Sequence, residues 1–378
     1  MNTNKQYERY QRQILLKEFG VAAQEKLLRA KVLVVGAGGL GCPALQYLAA
    51  AGVGTIGIAD DDVVSITNLH RQVLYGIDEI GLSKAEIAAG KLRCLNDAIR
   101  IVAYNKRLTN KNALDIIDEY DVVIDGTDNF SSRYMINDAC VLLSKPLVYA
   151  AISKFEGQVA VFNIKHKAAG RAVNYRDLFP FPPTDDEILN CAEAGVLGVL
   201  PGITGTMQAN ETIKLITGIG KTLINKLLNY NALDNSVYEF NLSVNEEAQA
   251  LIPKDKKAFL KMDYEWLCSS QTNSPFEIDV IQFDSLVEDD NTIVFDVREK
   301  DEQPFIDEFE HTQISLSELV SNQSLITKDN VVLFCQSGKR SLQAAMLLKK
   351  LFNHKKIYSL KGGIVEWQRK NAKQAVEK

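Results

Sequence analysis

Residues 31–41, KVLVVGAGGLG, constrain this chain more than any other stretch. A near-continuous run of β-branched apolar residues suits a strand buried on both faces of a parallel sheet, and a glycine-rich turn follows it at once. From Leu40 to Ala51 the pattern turns helical. Gly54 to Ala59 (GTIGIA) then reads as a second strand ending in Asp60, Asp61 and Asp62, which completes a βαβ unit. Strand runs at Ile99 to Tyr104, Asp121 to Ile124, Pro146 to Ala151 and Gln158 to Phe162, with helical stretches from Ser83 and Phe130, extend this into a doubly wound, Rossmann-like α/β sheet. Gly202 to Ile216 reads as an amphipathic helix. Lys226 to Asn231 and Ser236 to Asn241 read as a hairpin.

At 378 residues the chain exceeds the roughly 100–200 residues of one domain. A mixed polar stretch carrying Lys254, Lys256, Lys257 and Lys261 reads as a linker or a short helix on a surface, and a second α/β pattern starts at Ile278. The expected division is 1–248, a linker over 249–277, and 278–378. Thr292 to Asp296 and Val331 to Phe334 are short buried strands of the second part, with helices after Lys339 and Gly363. The stretch from Arg171 to Asp186, with its FPFPPTDDE, breaks every regular pattern and reads as a mobile loop.

The charge balance, 43 Lys and Arg against 48 Asp and Glu, gives −5 and argues against a nucleic-acid partner. The longest apolar run, Leu40 to Val53, is broken by Pro43 and glycines and falls short of the roughly 20 residues a bilayer span needs, so no membrane segment is expected. The opening MNTNKQYERYQRQ lacks the apolar core of a secretion signal, which points to the cytoplasm. The cysteines at 42, 94, 140, 191, 268 and 335 stand singly, with no CxxC pair to suggest a zinc knuckle or a disulfide framework.

Gly36, Gly38 and Gly41 fit GxGxxG between a strand and a helix, where backbone N–H groups can meet phosphate. Asp60 stands where a carboxylate takes ribose hydroxyls, so a dinucleotide-binding oxidoreductase using NAD is one reading. It leaves unexplained Asn68, Arg71, Gln72, Lys84, Asp128 and Asn129. Arginine and lysine can neutralise a triphosphate, and Asp128 at a strand end can hold Mg²⁺ against it. Any one of these alone would more often be a surface salt bridge; gathered at strand ends they point to phosphoryl chemistry.

The strings RYQRQ (9–13), VVGAGGLGCPALQYLAAAGVG (34–54), DDDVVSITNLHRQ (60–72), GLSKAE (81–86) and DGTDNFSSRY (125–134) make residues 5–245 resemble the MoeB/ThiF family of ubiquitin-activating-like adenylyltransferases. The resemblance implies that Gly39, Asp60, Asn68, Arg71, Lys84 and Asp128 bind ATP and its Mg²⁺. It also implies that Arg12 reaches the phosphates of a neighbouring subunit, and hence a homodimer. The implied chemistry is attack by the C-terminal glycine carboxylate of a small ubiquitin-like sulfur-carrier protein on the ATP α-phosphate. Many members hold a structural zinc with two CxxC pairs; here the first position reads Asn174-Tyr175-Arg176-Asp177 and the second pair is missing, so no zinc is expected. By the same resemblance Cys191, after the loop, is the second-step nucleophile; a buried cysteine is the plainer reading.

Cys335 closes an apolar strand and opens Cys335-Gln336-Ser337-Gly338-Lys339-Arg340-Ser341. A helix N-terminus, loop amides and the cations of Lys339 and Arg340 would favour a thiolate or an anionic persulfide there. With Phe295-Asp296-Val297-Arg298-Glu299 and Gly362-Gly363 to Trp367, residues 278–370 resemble a rhodanese domain, which implies a persulfide on Cys335 cradled by the amides of residues 336–341. The other four cysteines read as structural. Adenylation and sulfur transfer on one chain would make a carrier thiocarboxylate for molybdopterin, thiamine-thiazole or tRNA-thiolation synthesis, with a donor such as a cysteine desulfurase loading Cys335. A non-catalytic carrier-binding scaffold is the alternative outside enzymes.

Overall fold

The computed structural model describes residues 7–165, 171–182, 195–264, 276–299, 302, 305–319, 322–336 and 338–376. Two compact units result, the first reaching residue 264 of those described and the second starting at 276.

The first unit is built on an eight-stranded sheet: β1 (Lys31–Val35), β2 (Thr55–Ala59), β3 (Arg100–Tyr104), β4 (Val122–Asp125), β5 (Leu147–Ser153), β6 (Glu156–Phe162), β7 (Lys226–Asn231) and β8 (Val237–Asn241). The order is β3-β2-β1-β4-β5-β6-β7-β8. The first five run parallel and the last three add on antiparallel. Val32–Val35 and Val122–Asp125 are buried throughout, because helices cover both faces of a parallel sheet; this is why β1 and β4 read as unbroken apolar runs. Val32, Val34, Ile56, Ile58 and Ile124 pack with Leu45 and Leu48 of the helix Gly41–Ala51 in one core. The chain leaves β1 toward β2 and β3, then returns to β4 on the other side of β1. That reversal opens a crevice at the carboxyl ends of the strands, where Val35 is in register with both Ala59 and Asp125.

Residues 249–264, read from sequence as the start of a linker, fold onto the first unit. Asp255 caps the helix Lys256–Lys261 by accepting the Ala258 N–H at 2.7 Å, and Phe259 is buried. Asn110 Nδ2 donates to the carbonyls of Leu260 at 3.0 Å and Met262 at 2.8 Å. The lysine-rich face that suggested a solvated linker is the outer side of this helix, and Phe259 is its inner side.

The second unit carries five parallel strands in the order β11-β10-β12-β13-β9: β9 (Glu277–Ile278), β10 (Thr292–Asp296), β11 (Thr312–Gln313), β12 (Asn330–Phe334) and β13 (Lys356–Leu360). Phe283, Val294, Val332, Phe334 and Trp367 fill one face, and Phe295, Leu333, Ala345 and Leu348 fill the other. Among the described residues no helix is long and apolar enough to cross a membrane.

Candidate active site

At the end of β1 the backbone turns through Gly36 with φ +91°, and a side chain there would meet the Gly126 carbonyl oxygen at 2.7 Å. A side chain at Gly41 would stand 1.9 Å from the Gly36 carbonyl oxygen. Glycine is therefore a steric requirement at both positions, and it brings the loop after β1 against the loop after β4. Asp60, at the end of β2, fixes the first loop: its Oδ2 accepts the Ala37 N–H at 2.6 Å, and its Oδ1 accepts the Asp62 N–H at 2.9 Å. Burial pushes the Asp60 carboxyl above its ordinary range against these two bonds. The Ala37 carbonyl accepts from the buried Tyr75 hydroxyl at 2.8 Å and from Cys42 Sγ at 3.3 Å, and burial raises the Cys42 thiol to about 12.

The resulting cavity holds about 300 Å³. Of the residues singled out from sequence, Gly36, Gly38, Gly39, Asp60, Arg71, Gln72, Lys84, Asp128 and Asn129 line it. Lys84 begins the helix Lys84–Leu95, and its Nζ lies 2.9 Å from Asp62 with the side chain only 5% exposed. Arg71 is anchored by donation to the Thr67 carbonyl at 3.1 Å. Gln72 lines the cavity and is 4% exposed, with its Oε1 buried and without a hydrogen-bond partner. Asp128 stands exposed at the cavity, and Asn129 caps the helix Phe130–Leu142 by accepting the Ser132 N–H at 2.9 Å.

Two predicted residues act from outside the cavity. The Asn68 backbone carbonyl accepts the N–H groups of Arg71 and Gln72 at 3.0 and 2.9 Å, which closes the turn that carries both residues, and Gly41 serves by close approach. Arg12 is exposed on the short helix Gln11–Ile14 and does not line the cavity of its own chain. Cys191 and Cys268 lie outside the described residues. Sequence reasoning passed over three cations that line the cavity: Lys106, Arg107 and Arg133. Arg133 belongs to the DGTDNFSSRY string. It is 8% exposed, its Nη2 donates to the Thr127 carbonyl at 3.2 Å, and its guanidinium lies over the rings of Phe130 and Tyr149 at 5.4 and 5.3 Å. Lys106 and Arg107 sit in a loop after β3 with no motif to mark them.

Of the Arg171–Asp186 stretch, residues 171–182 carry a short helix, Tyr175–Leu178, where the sequence showed no regular pattern, and residues 183–186 lie outside the described residues. Asn174 and Asp177 cap the short helix Tyr175–Leu178 reciprocally. Arg171 binds Asp177 through two bonds of 2.8 and 2.6 Å, and Arg176 binds Asp138 through two of 2.8 Å. Tyr264 donates its hydroxyl to the same Asp138 at 2.9 Å. Where the sequence lacks cysteines, ion pairs and a capping box hold the segment.

In the second unit Cys335 follows β12 and is fully buried. Ser341 Oγ lies 3.6 Å from its Sγ and receives a hydrogen bond from Ser359 Oγ at 2.8 Å. Gly338, at φ +89°, turns the loop into the helix Lys339–Leu351. Gly363 closes the loop from the other side: at φ +61° a side chain there would meet the Cys335 carbonyl oxygen at 2.4 Å. Arg340 makes two bonds, 2.5 and 2.6 Å, to Glu302. These bonds pull the Glu302 carboxyl down to about 2 and raise the guanidinium, to which Cys335 adds. Arg298 is held by Asp296 and reaches Gln336 Oε1 at 3.4 Å.

Residues 10–250 match the ThiF family along their whole length. The chain belongs to the ThiF family. Residues 279–370 match the rhodanese-like domain, so this ThiF protein carries the two modules in series. It is 39% identical to a probable adenylyltransferase/sulfurtransferase MoeZ of Mycobacterium tuberculosis, over 95% of this chain and 92% of that one. It is 38% identical to the adenylyltransferase and sulfurtransferase MOCS3 of Culex quinquefasciatus, over 97% and 88%. A Thermus thermophilus sulfur carrier protein adenylyltransferase is 47% identical over 70% of this chain and 98% of its own length. Among solved structures, Escherichia coli MccB with ATP shares the fold, with a TM-score of 0.54 at 22% identity over 63% of this chain and 73% of that one. This ThiF protein is thus an enzyme, an ATP-using adenylyltransferase with a sulfurtransferase domain. Family membership sets aside the oxidoreductase and the non-catalytic scaffold.

Proposed function

We propose that this chain adenylylates the C-terminal Gly-Gly carboxylate of a small ubiquitin-like sulfur-carrier protein and then converts that end to a thiocarboxylate with sulfur carried on Cys335. What carries the reading is the single cavity that gathers a glycine-rich turn, Arg71, Lys84 and Asp128 at the carboxyl ends of β1, β2 and β4. Such a set neutralises phosphate charge and aligns an attacking carboxylate, which is most of what phosphoryl and nucleotidyl transfer asks of a protein.

In the first step a carrier carboxylate oxygen bonds to the α-phosphorus as the bond to the bridging oxygen breaks, giving acyl-adenylate and pyrophosphate. Arg71 and Lys84 take up the triphosphate charge, Gly36–Gly39 present backbone to it, and Asp60 meets the ribose. Arg12 would serve the neighbouring copy of a homodimer. Asp128 fits a bound Mg²⁺: its carboxylate is exposed in the cavity, and this cation takes one or two carboxylates with phosphate oxygens and water. Charge neutralisation is the chemistry that ion supplies. The ordering of residues 171–182 by ion pairs supports folding of this segment without zinc.

In the second step a thiolate, with Cys191 the candidate, displaces AMP from the acyl carbon. The terminal sulfur of a Cys335 persulfide then takes the acyl group, and a thiol cleaves the S–S bond to free the thiocarboxylate, leaving itself as a disulfide. A cysteine desulfurase is the class of enzyme that would load Cys335. The product would feed molybdopterin, thiamine-thiazole or tRNA-thiolation synthesis in the cytoplasm.

The test is ATP–pyrophosphate exchange with a panel of Gly-Gly-ended carriers from the same genome. Exchange with one carrier names the substrate and with it the pathway. Absence of exchange with every carrier, from protein that binds ATP, would sink the carrier assignment.

A further inference from the structure

The segment 260–264, which precedes the second unit, adds a wall to the first. We infer that Met262, seated there, closes the pocket for the adenine base and contributes to its selection. The inference rests on ATP as the substrate of the adenylation site.

The direction of the bound nucleotide follows from the strand ends. Phosphate belongs at the glycine turn after β1, between Arg71 and Lys84, and ribose at Asp60 after β2. Continuing across the sheet in the order β1-β2-β3, the base arrives at the loop after β3, at residues 106–108. At that point a second cavity of about 390 Å³ opens and shares Arg107, Leu108 and Ser132 with the first. Its remaining walls include Met135, Met262 and Tyr264.

This composition suits the face of a purine. Leu108 and Met135 are buried, Met262 is half-buried, and thioether side chains are polarizable and adapt to a flat aromatic partner. The Tyr264 hydroxyl is committed to Asp138 at 2.9 Å, so its ring is held in place. Asn110, on the same loop as Leu108, donates to the carbonyls of Leu260 and Met262, so the β3 loop and the added segment are tied into one wall.

The experiment uses the full chain. Dissociation constants for ATP, AMP and inorganic tripolyphosphate are measured by calorimetry for the wild type, Met262→Ala, Met262→Leu and Asn110→Ala. Removing the thioether arm from a partly buried contact is expected to weaken ATP and AMP about fivefold to tenfold. Met262→Leu, which conserves volume, should restore most of the affinity. Tripolyphosphate, which lacks a base, should bind all four proteins alike. Unchanged ATP affinity in Met262→Ala and Asn110→Ala would overturn the inference. Equal weakening of ATP and tripolyphosphate would also overturn it, by showing a general disturbance of the site. A wild-type chain that fails to bind ATP would instead remove the adenylation reading, and this inference with it.

Discussion

Arg176 and Asp138 form a bidentate ion pair closed to solvent on both sides, with two bonds of 2.8 Å and side chains 1% and 0% exposed. The pair joins the segment after β6 to the helix Phe130–Leu142, whose first turn borders the cavity at the strand ends. Arg176→Ala would strand a buried carboxylate, with only Tyr264 and Asn137 left as donors. Removing one partner of such a pair costs about 3–5 kcal/mol. Urea unfolding of the first unit should show that loss, and a change under about 1 kcal/mol would mean that water relaxes into the site.

Asp128 borders the cavity without belonging to its supporting hydrogen bonds, so its removal should leave the fold intact. Asp128→Ala is expected to lower carrier-dependent pyrophosphate exchange by about a hundredfold or more, the scale of losing one electrostatic partner of a transition state. Exchange within a few fold of wild type would remove Asp128 from metal binding.

Sulfur transfer and adenylation use different units and should separate by mutation. Cys335→Ser should abolish thiosulfate sulfurtransferase activity and spare pyrophosphate exchange. Gly363→Ala tests geometry rather than chemistry. Its added carbon would press on the Cys335 carbonyl, so sulfur transfer should fall while every reacting group remains. Full activity in Gly363→Ala would show that the loop relaxes at no cost.

Glu302 gives the second unit a defined acid response. Its carboxyl lies near 2 rather than the ordinary 4.5 because Arg340 binds the ionised form. A depressed native value means that the stabilisation is full above about pH 4.5 and is lost as pH falls toward 2. Glu302→Gln should therefore be less stable than wild type at pH 6, with the difference shrinking as the solution is acidified through pH 4.5. A difference that is constant down to pH 3, followed by chemical denaturation, would show that the Arg340 bonds do not set it.

The strands and helices of the first sheet were legible in sequence because β1, β2 and β4 are buried on both faces and leave unbroken apolar runs. Most of the cavity was legible because its residues sit in motifs tied to strand ends. β9 and β11, two residues each, were not, since their pairing comes from neighbours rather than from any periodicity. The helix Lys256–Lys261 was read as a linker or a short surface helix, because its apolar residues, Ala258 to Leu260, are a brief run among lysines and only Phe259 of them is buried. The order of residues 171–182 was hidden for a related reason. Charged residues look solvated in sequence, and only the fold shows Arg176 meeting Asp138, 38 positions away. Lys106 and Arg107 were missed because topology alone delivers them.

Gly36 and Gly126 touch through backbone, with no side chain between the loop that faces phosphate and the loop that carries Asp128. A substituent at 36 would strike Gly126, and one at 126 would come within 3.0 Å of the Gly36 oxygen. Position 36, at φ +91° and 2.7 Å from the Gly126 oxygen, is closed to a side chain, whereas one at 126 would need the Gly36 backbone to yield by a few tenths of an ångström, and in both cases the obstruction is main chain. The separation of these two loops is thus set by main-chain contact, a fixed quantity that side-chain changes elsewhere do not adjust.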